Sequence, residues 1–255
     1  MKKFFKILAI IFGVILLSFF AYLGYIYYTY QKVNKSIQQK NEKVINFESN
    51  LSEDYFDYSV SINKSGDFNK GFKYLDKAVE LEPVKHLGYR GWIRLRKIRD
   101  YDKALMDFDR LDSLTPNVID APWGEDIDFL RGECHYGNKN YQNAIKAFNQ
   151  SIVNQDEDWA DIHSFVYLGL CEYELGNYEK SIIEFQRALK QYESVPESFF
   201  GMARAYQKLG EIEKAKENIM KAEKNIVSKR DDYYNEYLNE IYISEVLEFK
   251  QTLEK

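Results

Sequence analysis

GNYEKSIIEFQRALK (176–190) shares one frame with four other stretches: GDFNKGFKYLDKAVELEP (66–83), RDYDKALMDFDRLDSLTP (99–116), KNYQNAIKAFNQSIV (139–153) and GEIEKAKENIMKAEK (210–224). Each opens near an aromatic or apolar residue: Phe68, Tyr101, Tyr141, Tyr178 or Ile212. Three residues on stands a small one, Gly71, Ala104, Ala144, Ser181 or Ala215. Four further on stands a bulky apolar one, Leu75, Phe108, Phe148, Phe185 or Ile219, and three beyond that Ala78, Leu111, Ser151, Ala188 or Ala222. Offsets of three and four fall on one face of an α-helix. The small position recurs after 33, 40, 37 and 34 residues, and a period in that range marks stacked repeats.

Each of these helices is preceded by another of about fourteen residues by the same periodicity, and the pair resembles the tetratricopeptide repeat, a 34-residue helix-turn-helix unit. In the fifth repeat Phe199, Met202, Ala203, Tyr206, Gly210, Ile212, Ala215, Ile219 and Ala222 occupy the family's signature positions with conservative changes. Gly132 and Gly169 stand where two helices cross closely, and Gly66, Gly176 and Gly210 where the first helix ends in a left-handed residue. The resemblance covers about residues 52–227, as repeats at 52–84, 85–117, 125–157, 162–195 and 196–227. Repeat two departs from the pattern: Gly91 is one residue out of frame and Arg99 replaces the turn glycine. An added stretch, NVIDAPWGE, follows Pro116. The apolar pattern over 228–255 predicts a capping helix that covers the last repeat. The expected fold is all-α: a right-handed α-solenoid of about five repeats with a C-terminal cap, preceded by one transmembrane helix.

That last element is read from ILAIIFGVILLSFFAYLGYIYY (7–28), 22 residues without a charge, enough to cross a bilayer as a helix. A cleaved signal peptide would need a shorter apolar core and small residues at its end, where this chain has Phe19, Phe20 and Tyr22. The reading is an uncleaved anchor over residues 1–30, with tyrosines 22, 25, 27, 28 and 30 at the headgroups. Lysines flank both ends. A short amino-terminal flank favours placing the repeats outside the cytoplasm, on a bacterial inner membrane; the opposite topology is the alternative. Residues 31–51 form a juxtamembrane stalk in which Val33, Ile37, Val44, Phe47 and Leu51 are spaced for weak self-association, though the run is too short for a sustained coiled coil.

Composition narrows the function classes. The 255-residue chain is 45% hydrophobic and 29% charged, a globular balance. Its formal charge is −5, and the first thirty residues hold three lysines and no acid, so the remainder is acidic. Nucleic acid is therefore not an expected partner. Cys134 and Cys171 occupy equivalent repeat positions and read as small buried hydrophobes. His86, His135 and His163 are scattered through different repeats, and there is no phosphate-binding loop. No catalytic residue, metal site or cofactor is expected.

The resemblance implies a concave groove, lined by the first helices, that holds a protein or peptide partner. Carried onto this sequence, the groove positions are Phe56, Val60, Trp92, Arg96, Phe129, Glu133, Tyr136, Val166, Leu170, Tyr173, Phe200, Arg204 and Lys208. Trp123, in the added stretch, is a separate candidate: a functional loop or a plug between repeats. Arg90, Arg94, Arg96, Lys97 and Arg99 make one helix strongly basic, read as a solvated face balanced by nearby aspartates, with docking of an acidic segment or lipid headgroup as the alternative. The expectation is a non-catalytic, membrane-anchored scaffold of cell-envelope assembly or maintenance. A regulatory or substrate-delivering subunit of a membrane enzyme is the alternative.

Overall fold

A computed structural model describes the backbone of residues 2–48, 51–227 and 237–254, and the side chains of these except 2–11, 14 and 37–48. All regular structure among the described residues is helical. The chain divides into two compact units, residues 1–82 and 83–255.

In the first unit, α1 (Lys2–Glu48) runs without a break through both the apolar stretch and the stalk. Its described apolar side chains stand in the open: Phe12, Ile15, Leu17 and Phe20 are each more than half exposed. Among the described residues no helix is long and apolar enough to cross a membrane; the side chains from Ile7 to Ile11, which begin the apolar run, lie outside them. Of the stalk positions, Val33 is exposed, and the side chains of Ile37, Val44 and Phe47 lie outside the described residues. α2 (Ser52–Lys64) and α3 (Phe68–Leu81) form the first helix pair. Gly66, at φ +87°, turns the chain between them, a conformation that costs glycine nothing.

The second unit holds four more pairs: α4 (Pro83–Arg96) with α5 (Tyr101–Leu114), α6 (Ile127–Gly137) with α7 (Tyr141–Gln155), α8 (Ile162–Glu174) with α9 (Tyr178–Gln191), and α10 (Pro196–Lys208) with α11 (Ile212–Ile226). Each helix packs on the next along the chain. First helices also touch the first helix of the following pair, α4 on α6, α6 on α8 and α8 on α10. Second helices approach one another less, so the row bends with the first helices on its inner side.

The repeated frame is the core. Leu75, Phe108, Phe148, Phe185 and Ile219 are all fully buried. Three of these knobs press on a first-helix glycine: a Cβ on Gly91, Gly132 or Gly169 would lie 2.5–2.6 Å from the ring of Phe108, Phe148 or Phe185. Gly91 therefore does the work of its counterparts although it is out of frame. The register is restored in the turn, where the Asp100 N–H reaches back to the carbonyl of Arg94, six residues away. The matching bonds, Asn140 to His135, Asn177 to Glu172 and Glu211 to Tyr206, span five. Arg99 takes the left-handed conformation there, φ +56°, where other repeats use Gly176 and Gly210.

The carboxy-terminal end differs from the expected capping helix over 228–255. Residues 228–236 lie outside the described residues, Leu238–Asn239 form a turn, and the helix α12 occupies only Ile243–Thr252. At its start the Glu245 carboxylate accepts from the Tyr242 N–H at 2.7 Å. α12 packs on α11, with Phe249 edge-on to Phe200 at 5.6 Å and Lys250 paired to Glu223 at 2.7 Å.

Candidate functional site

The inner side of the second unit is built from residues that three first helices bring together. Arg96, at the end of α4, is 3% exposed although it belongs to a run that reads as a solvated face. Its guanidinium donates to Glu125 and Glu133, each at 2.5 Å. Glu125 also accepts from the Trp92 indole at 2.9 Å. Glu133, on α6, accepts from the Tyr167 hydroxyl of α8 at 2.6 Å. One chain of hydrogen bonds thus ties α4, the loop before α6, α6 and α8. A buried charge is tolerable only when it is paired in this way.

The pairing is incomplete at one atom. Glu133 is fully buried, and its Oε2 has no hydrogen-bond partner among the described residues. Burial pushes its carboxyl up to about 7, against the opposing pull of Arg96 and of the Tyr167 hydroxyl. For Arg96 burial acts in the lowering direction, and the Glu133 and Glu125 carboxylates outweigh it, so the guanidinium holds its proton more firmly than usual.

Over this network lies the chain's own segment Tyr237–Asn239. The Arg96 guanidinium sits 4.4 Å from the Tyr237 ring centre, close enough for a cation–π contact. Phe129 meets the same ring edge-on at 5.9 Å, and His163 packs on it at 4.3 Å. The Leu238 backbone N–H donates to the Tyr167 hydroxyl at 2.8 Å. The Asn239 side-chain amide pairs with His163 Nδ1 at 2.9 Å. Tyr167 and Glu125 were not singled out from the sequence, His163 read only as one of three scattered histidines, and this segment was expected within the capping helix. The one sequence signal is local: DDYYNEYLNEIY (231–242) is rich in Tyr, Asn and Asp, which favour helices weakly.

The expected groove residues separate by depth. Trp92, Arg96, Phe129, Glu133 and Val166 are buried. The first four belong to, or border, the network and the segment upon it; Val166 is wholly inside and offers no surface. Tyr136, Leu170, Tyr173, Phe200 and Arg204 are half-buried and Lys208 is exposed. Tyr136 packs on Tyr167 at 5.2 Å and on Tyr141 at 5.8 Å. Tyr173 carries the Arg204 guanidinium on its face at 4.3 Å. Phe56 and Val60 are half-buried in the first unit.

Trp123, at φ +60°, lies against Tyr89 at 5.0 Å and Trp92 at 6.1 Å yet remains 59% exposed. The plug is its neighbour Pro122, which is buried against Gly88. Elsewhere in the basic run Arg90 and Arg94 both grip the buried carboxylate of Asp107, at 2.7 and 2.6 Å, Lys97 lies over the Trp92 ring at 5.7 Å, and Arg99 Nη1 is buried without a hydrogen-bond partner among the described residues. Cys134 and Cys171 are free thiols in the core, and burial raises both above the ordinary range.

Residues 163–194 and 196–224 each match a tetratricopeptide repeat model. No curated protein matches by sequence. Among solved structures, the chain is similar to MamA (residues 41 to the end) from Desulfovibrio magneticus RS-1, with 19% identity, a TM-score of 0.61, and coverage of 72% of this chain and 99% of that one. It is similar to YrrB, a TPR protein with an unusual peptide-binding site, with 17% identity, a TM-score of 0.55, and coverage of 71% and 90%. It is also similar to PilW, a type IV pilus biogenesis factor, with 13% identity, a TM-score of 0.62, and coverage of 87% and 94%. At these identities the likeness is one of fold, and within the five helix pairs residues 163–194 and 196–224 are the ones that tetratricopeptide repeat models match.

Proposed function

We propose that this chain is a membrane-anchored, non-catalytic scaffold whose first helices hold a segment of a partner protein. The observation that carries the reading is the segment Tyr237–Asn239, bound on the inner side through a ring, a backbone N–H and a side-chain amide. A surface that already holds polypeptide by such contacts is suited to recognition. YrrB, whose fold is similar, is described as binding peptide, which supports the same use here. Beyond the occupied part, Tyr173 and Arg204 present a half-exposed aromatic and cationic pair, the side-chain types that dominate binding energies.

The anchor is the 22-residue uncharged run 7–28 within α1, roughly 33 Å long at the helical rise. Its described side chains are apolar and open, and a continuous apolar surface of that kind needs lipid or protein to cover it. The chain then sits in a bacterial inner membrane with its repeats outside the cytoplasm, where it serves assembly or maintenance of the envelope. Confinement to the bilayer raises the effective concentration of partners held there. PilW, similar in fold, is a pilus biogenesis factor, in keeping with that setting.

The test is crosslinking and capture with the full chain in its own membranes, beside a Tyr173→Ala/Arg204→Ala variant. Loss of one captured protein from the variant, at unchanged helicity, is the expected result. Identical captures would remove this surface from the function, and recovery of the chain in the soluble fraction would remove the anchor.

A further inference from the structure

We propose that the slot formed by Arg96, Phe129, Tyr167 and His163 recognises a polypeptide segment that presents an aromatic side chain followed two residues later by a carboxamide. Tyr237–Asn239 is the chain's own copy of that segment, and it keeps the slot shut until a partner segment replaces it. The inference rests on the scaffold reading and names both the partner's chemistry and the control of its site.

Three observations carry it. First, the contacts come from three successive first helices and together meet three chemical features of the segment, a ring, a backbone N–H and a side-chain amide. Arg96 and Phe129 take the ring, the Tyr167 hydroxyl takes the backbone N–H of the next residue, and His163 takes the amide after that. Ordinary core packing has no need of a backbone donor and a side-chain amide in register with a ring. Second, the segment is held between independently fixed elements. α11 ends at Ile226, and α12 is secured to the last repeat by the Lys250–Glu223 pair, the Phe249–Phe200 contact and a fully buried Val246. Residues 237–239 can therefore leave the slot while α12 stays in place, and they remain near it at a high effective concentration. Third, the intramolecular fit is imperfect: Asn239 Oδ1 and Glu133 Oε2 are buried without hydrogen-bond partners among the described residues. Leaving the slot returns Asn239 Oδ1 to water, and a partner that brings a donor to Glu133 Oε2 gains a contact the resident segment lacks.

The experiment uses the full chain in detergent micelles and a fluorescent hexapeptide of the chain's own sequence, Tyr-Leu-Asn-Glu-Ile-Tyr (237–242). Wild type is compared with two opened variants, Tyr237→Ala/Asn239→Ala and Leu238→Pro. The second removes the backbone donor together with the Leu238 side chain and changes no helical residue. Both variants should bind the peptide at least about tenfold more tightly than wild type, because the tethered competitor is weakened. Adding Tyr167→Phe to the first variant should reduce that binding about fivefold, as loss of one hydrogen bond does. Equal binding by wild type and both variants, or no binding by either variant at unchanged helicity, overturns the proposal. Partner capture through Tyr173 and Arg204 without peptide binding to the opened chain would sink this inference and leave the scaffold standing. Peptide binding without capture would do the reverse.

Discussion

Glu133 gives the fold a pH dependence whose sign and size follow from the structure. Its carboxyl, fully buried and hydrogen-bonded between Arg96 of α4 and Tyr167 of α8, is pushed up to about 7 from an ordinary 4.5, chiefly by burial. The native state therefore binds a proton that the unfolded state has released between these two values. Where the native state holds more protons, stability falls as pH rises. The contribution is at its most favourable below pH 4.5, declines through the window up to 7, and is fully lost above it. A shift of this size corresponds to about 3 kcal/mol. The perturbation is Glu133→Gln, which keeps the shape and an acceptor for Arg96 and Tyr167 but cannot titrate. Urea unfolding of both proteins, followed through tryptophan fluorescence from pH 5 to 8, should show wild type losing stability relative to the variant by up to about 3 kcal/mol. His135, lowered by burial, pulls the other way: its stabilising effect grows as pH rises through its titration. It is present in both proteins, so the difference between them isolates Glu133. Parallel curves across the whole range would refute the reasoning.

The remaining expectations concern the frame itself. Phe148 is fully buried, stacked on Tyr167 at 4.9 Å and pressed on Gly132; Phe148→Ala should cost about 3–5 kcal/mol, read as a lowered urea midpoint. The two turn types should respond in opposite directions. Gly176→Ala, at φ +82°, should destabilise by about 1 kcal/mol, whereas Arg99→Gly, at φ +56°, should stabilise by about the same amount by removing the left-handed penalty of a residue with a Cβ. Thermal melts of the two variants that moved in the same direction would contradict that account of the turns.

The contrast between what the sequence disclosed and what it hid has a physical origin. The frame of Leu75, Phe108, Phe148, Phe185 and Ile219 was readable because each knob meets partners within its own repeat or the next, so periodicity alone specifies its burial. Even the misplaced Gly91 obeys this locality, since one longer turn absorbs the shift. The inner side is different. Arg96 looks like one more cation in a charged run, and only contacts at separations of 29 and 37 residues, to Glu125 and Glu133, turn it into a buried centre. Tyr167 and His163 acquire their roles from Leu238 and Asn239, 71 and 76 residues away. Local pattern cannot specify such pairs, because any first-helix residue one turn along would satisfy the same amphipathic spacing. The residues that periodicity could not assign are thus the ones that distinguish this array from a generic stack of repeats: a buried carboxylate short of one donor, and a segment of the same chain laid across it.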